Sequence, residues 1–161
     1  MAARFILTPY SAEFAGLANY PQLMHVNGQP VLAFDAATNE SVVWSFRLPA
    51  NWTGTPALVV QGFMASAVAG TVDATVEIQA VTPLDALNLN TTASYDAANS
   101  VTGTTVPAAT GNLFAVSFTS LTNFDSGAAG DWVRLKLTRG ATGDTAAGDW
   151  YVVAAALGDG A

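Results

Sequence analysis

Val72-Asp73-Ala74-Thr75-Val76-Glu77-Ile78-Gln79-Ala80 is the stretch that decides the fold class. Every second residue is apolar and those between are polar, a period of two that sends the apolar set to one face of an extended strand. A helix would scatter the same residues around its circumference. Pro83 ends the segment. The pattern therefore predicts a half-buried antiparallel strand with one wet face.

The same period recurs on either side. Val42, Trp44, Phe46 and Leu48 share one face against Val43, Ser45 and Arg47, and Pro49 closes that segment. Residues 58–65 are apolar on both faces (Leu58, Val60 and Met64 against Val59 and Phe63), so this strand is expected near the middle of a sheet, and its second face needs a cover. Phe114, Val116 and Phe118 mark another strand, Val133, Leu135 and Leu137 alternate with Arg134, Lys136 and Thr138, and residues 150–157 end the series. Residues 85–112 are rich in small polar residues, with short candidate strands at 92–95 and 101–106. Together these segments predict an all-β chain, an antiparallel jelly-roll-like β-sandwich of about eight strands.

Residues 1–30 have no sustained period, three prolines and scattered aromatics. They are read as an irregular N-terminal arm or wrapping segment, with the sandwich domain spanning 31–161 and a short tail from 158. As an arm, the segment would dock on a partner through Phe5, Tyr10, Phe14 and Tyr20. As a wrap, it would cover an open sheet edge of its own domain.

Composition narrows the function. The chain has 161 residues, 51% hydrophobic but only 11% charged, less than half the roughly 25% of an ordinary domain. Small neutral residues cover much of the surface, as in proteins whose outside is partly another protein's inside. Cysteine is absent, which removes disulfides, thiolate nucleophiles and Cys-based metal sites. The net charge of −7 repels phosphate backbones, so no nucleic acid is expected as a ligand. The apolar run Phe5-Ile6-Leu7 stops at Thr8-Pro9, too short for a signal sequence or a membrane span, so no membrane is expected as a partner.

Catalytic signatures are missing. His25 is the one histidine, so no multi-histidine metal site exists, and no G-x-S-x-G, P-loop or G-x-G-x-x-G occurs. Asp73 and Glu77 share a strand face, but four residues of strand separate them by about 13 Å, beyond the carboxylate spacing of glycoside hydrolases. Asp125, Asp131, Asp144 and Asp149 lie in glycine-rich turns, where Asp caps its own backbone. If those turns converged they could hold Ca²⁺. Gly-Asp-Trp occurs twice, at 130–132 and 148–150, and Trp44, Trp52, Trp132 and Trp150 are either core plugs or a sugar-stacking platform. The expectation is a protein that is no enzyme, with no catalytic residue, cofactor or metal.

One run of features resembles a known group: Phe46-Arg47-Leu48-Pro49, then Trp52-Thr53-Gly54, the 58–65 strand, the 130–139 segment from Gly130 to Arg139, Asp144-Thr145 and Gly148-Asp149. It is similar to small jelly-roll virion proteins of tailed bacteriophages, the capsid decoration or cement proteins and related minor structural domains. The likeness covers roughly residues 31–158. It implies a homotrimer on the capsid surface of the virion, clamping neighbouring major capsid protein subunits, with its motifs serving as framework. The alternative is a receptor-binding, tail-fibre or carbohydrate-binding jelly-roll domain.

Overall fold

The structure is a computed structural model, and it describes residues 2–14, 18–91, 93–140 and 143–159. Its strands are β1 (Ala2–Leu7), β2 (Gln22–Val26), β3 (Gln29–Phe34), β4 (Glu40–Arg47), β5 (Pro56–Met64), β6 (Thr71–Val81), β7 (Asn99–Thr105), β8 (Phe114–Phe118), β9 (Trp132–Arg139) and β10 (Trp150–Asp159). One 3-10 turn, Pro9–Ser11, follows β1. None of the described helical residues forms a helix long and apolar enough to cross a membrane.

The strands form two antiparallel sheets. One runs β2-β3-β10-β5-β8, with β1 also paired to β10, and the other runs β4-β9-β6-β7. The alternation of β6 places Val72, Ala74, Val76 and Ile78 inward, where all four are buried. From β4, Trp44 is 1% exposed and its indole N–H donates to Thr8 O at 2.9 Å, so this large ring is buried without losing its polar bond. Trp150 fills the core from the opposite sheet between Phe34 and Phe114, with centroids at 5.8 and 6.2 Å. Gly62 makes room for it, because a Cβ there would stand 2.5 Å from Trp150 Nε1. The all-β jelly-roll sandwich expected from the period is present.

The N-terminal thirty residues depart from the arm picture. β1 pairs with residues 155–159 of β10, and β3 pairs with residues 150–152, so the two share one edge of β10 in tandem. β2 joins β3 through a hairpin with Asn27 and Gly28 both at positive φ, the turn whose twist suits adjoining strands. The expected boundary at residue 31 therefore falls inside β3. The physical reason is edge satisfaction: without β1, residues 155–159 would present unpaired amides and carbonyls. Leu7 is buried and Phe5 packs on the core. Farther along, Glu13 bridges Val43 on the free edge of β4, and Val43 is 2% exposed although its strand neighbours Trp44 and Val42 point the other way.

Two smaller expectations also shift. β7 covers Asn99–Thr105 where 101–106 was anticipated, while residues 93–95 of the other short candidate form no strand and Thr92 lies outside the described residues. Gly158 and Asp159 extend β10 instead of fraying, and the rest of that tail, 160–161, lies outside the described residues.

Candidate functional site

Strand direction sorts the connections between the ends of the sandwich. The β4–β5, β6–β7 and β8–β9 connections meet at one end, because Arg47 and Val81 both pair with Trp132 while Asp159 pairs with Pro56. The β3–β4 and β9–β10 connections lie at the other, where Phe34 pairs with Trp150 and Glu40 with Arg139.

The first end carries two open depressions. The larger, about 540 Å³, is lined by Thr55 and Pro56, by Asp96, and by Leu121, Thr122, Phe124 and Ser126. The smaller, about 370 Å³, is lined by Ala80, Asp85, Leu87, Ser94 and Asp125. Asp125 and Ser126 stand consecutively at φ 51° and 55°, left-handed conformations that non-glycine residues rarely adopt. Paired strain of this kind persists only where surrounding bonds enforce it. Here Asp125 N–H donates to Asp96 Oδ2 at 3.0 Å, and Asp125 Oδ2 accepts from Ala80 N–H at 2.8 Å. The two residues thus form a held ridge, one lining each depression. Beneath it Phe124 stacks on Trp52, with centroids 6.1 Å apart and planes 12° from parallel. Asp85 and Asp125 each bind a backbone amide through one oxygen, leaving the other available for a hydroxyl.

The expected residues are distributed as follows. Asp125 and Asp131 belong to this end, whereas Asp144 is sealed at the other, 2.6 Å from Arg139 Nε, with both side chains buried. Arg139 also donates to the carbonyls of Phe34, Ala146 and Gly148. The four turn aspartates therefore do not converge, and among the described residues no three acidic or histidine side chains gather as a metal set. Asp73 accepts from Gly103 N–H and Glu77 pairs with Lys136 at 2.5 Å, so both are tied to neighbouring strands. Of the tryptophans, Trp44 and Trp150 are fully buried and Trp52 nearly so, while Trp132 is 42% exposed. The Gly-Asp-Trp triplets do the same backbone work at opposite ends, since Asp131 O accepts from Leu48 N–H and Asp149 O from Ala65 N–H, both at 2.9 Å. They differ in register: Trp150 enters the core and Trp132 faces out.

The four aromatics assigned to the arm divide evenly. Phe5 lies 4.5 Å from Phe46 and Phe14 packs against the core, whereas Tyr10 and Tyr20 are exposed. Tyr10 bonds His25 Nε2 at 2.6 Å, and Tyr20 lies 5.7 Å from Phe14. They do not converge on one surface site. The loop-end depressions had no marker in the sequence beyond turn residues, although the Asp125-Ser126-Gly127 run is the kind of segment in which left-handed backbone concentrates.

No family model matches the chain, and no curated protein matches it. Solved structures do resemble it. A family 35 carbohydrate-binding module from an environmental isolate aligns with 96% of this chain and 92% of its own at TM-score 0.54 and 13% identity. Xyl-CBM35, solved in complex with a disaccharide containing glucuronic acid, aligns over 97% and 94% at TM-score 0.54 and 12% identity. The family 35 module of Cellvibrio japonicus Abf62 aligns over 98% and 94% at TM-score 0.52 and 11% identity. At these identities the likeness is one of fold, and the fold it supports is the jelly roll.

Proposed function

We propose that this chain is a non-catalytic carbohydrate-binding domain whose ligand sits in the loop-end depressions. The observation that carries the reading is the pair of adjoining hollows, rich in hydroxyl and carboxylate groups, the larger of them lined by Phe124 of the stacked Trp52–Phe124 pair. Concave sites with a few convergent polar groups on an apolar floor suit ligands that present both hydroxyls and a flat C–H face. Sugars are such ligands, and the structural neighbours are carbohydrate-binding modules by name. Asp85, Asp96 and Asp125 line the hollows and no lysine or arginine does, so a neutral glycan is favoured over a uronate, whose carboxylate would meet like charge. Calorimetric titration against neutral and uronic-acid oligosaccharides tests this. Thr55→Trp and Thr122→Trp, both at exposed positions, fill the larger hollow and are expected to weaken binding of a neutral glycan at least tenfold. Undiminished binding by both variants would place the ligand elsewhere.

One observation favours a second reading, attachment to other protein chains as in capsid decoration, with the major capsid protein as partner and the capsid surface as location. It is the uncharged outward face of the six-stranded sheet, since broad exposed apolar surface marks interaction sites. A gene lying directly beside a major capsid protein gene would support it, and a gene set among polysaccharide-degrading enzymes would speak against it.

A further inference from the structure

The charges of this chain are divided unequally between its two sheets. β4, β6, β7 and β9 carry Glu40, Arg47, Asp73, Glu77, Arg134, Lys136 and Arg139. The six strands of the other sheet carry only Arg4 and Asp159, which pair with each other. Outward from that sheet point Ile6, Val59, Phe63, Tyr151, Ala154 and Ala156, as the registers with buried inward neighbours require. Phe63 and Tyr151 meet edge to face at 5.4 Å, and Gln61, opposite Ala154 and Ala115, is exposed. The outward residues of β5 and β10 stand outside the main core cluster.

We infer that this outward face binds a second copy of the chain, sheet against sheet, about a two-fold axis. The inference rests on neither reading above. A chain of net charge −7 opposes its own copy over most of its surface, and the face without charge is where two copies meet without that cost. A two-fold contact sets the same patch against itself, so it demands a surface that is neutral or self-pairing. Gln61, which is both donor and acceptor, can bond its own mate across the axis. Four strands abreast at about 4.8 Å and nine residues of β5 at about 3.3 Å each give a patch on the order of 600 Å² in plan. Side-chain relief brings that towards the roughly 800 Å² per partner of ordinary stable complexes. Two such sheets pack about 10 Å apart, as sandwich layers do. The result is a dimer, distinct from the trimer that the virion resemblance implies.

Light scattering on the full chain eluting from a sizing column tests it. The expected mass is twice the 16.5 kDa of one chain. Gln61→Glu combined with Ala115→Glu, both at exposed outward positions, should give a monomer with an unchanged far-ultraviolet circular dichroism spectrum. Gln61→Glu and Gln61→Arg form a second test: each alone should lose the dimer by self-repulsion, and mixing them should restore the doubled mass. A monomeric or trimeric unaltered chain, or a dimer that survives both tests, would overturn the inference.

Discussion

At the scale of single residues, stability in this domain depends on a few side chains that are buried with their polar groups answered. Trp44 is the clearest case, with its ring in the core and its N–H on Thr8 O. Trp44→Ala leaves both a cavity and an unanswered carbonyl, and chemical denaturation should show a loss of about 3 to 5 kcal/mol. A loss below about 1 kcal/mol would mean that β4 is packed in another register. Glu40 works in the opposite direction. Burial, reinforced by the charges of Asp35 and Asp149, raises its pKa above the ordinary 4.5, against the opposing pull of the Asp35 N–H bond and Arg139. The folded chain thus holds this proton more tightly than the unfolded chain does. Stability falls as pH rises through the window from 4.5 to the raised value, and the penalty is complete above it. Glu40→Gln keeps an oxygen to accept the Asp35 N–H and removes the charge. Its melting temperature should exceed that of the unaltered chain near neutral pH, and the two should converge below about pH 4. A variant that melts lower at neutral pH would contradict this account.

At the scale of elements, β4, β6 and β9 were legible because each alternates, so sequence alone states which face is buried, and β5 was legible as a central strand because it is apolar on both faces. β1 and β2 were not, since neither carries a sustained period and the partner of β1 lies at the far end of the chain. What makes β1 a strand is the open edge of β10, a feature that exists only once the sheet has formed. Removal of residues 1–7 should therefore abolish the cooperative melting transition or cause aggregation, because β10 loses its partner and Leu7 leaves the core. A chain starting at Pro30 that kept its β-sheet spectrum and its transition would restore the view of the segment as a free arm. The Gly-Asp-Trp triplets set the same kind of limit on sequence reading. Their glycines take the same left-handed turn, at φ 93° and 90°, and only sheet register decides that Trp132 faces out and Trp150 in.

At the scale of the whole molecule, the jelly roll separates three surfaces: a charged sheet face, an uncharged sheet face, and a loop end that carries the depressions. The fold class was legible in the strand pattern, whereas the candidate site was not, because it arises where described residues of the β4–β5, β6–β7 and β8–β9 connections come together across the end of the sandwich. No short motif encodes that meeting. Its one local trace is the pair of left-handed residues Asp125 and Ser126, which the bonds of Asp96 and Ala80 hold in place. The proposed site can be read amide by amide. In a two-dimensional nitrogen–proton spectrum of the labelled full chain, titration with a neutral oligosaccharide that binds is predicted to shift Thr55, Asp96, Thr122, Ser126 and Gly127, and to leave the β3–β4 and β9–β10 connections unmoved. Shifts gathered at that opposite end, or across the sheet face around Trp132 and Tyr95, would contradict it.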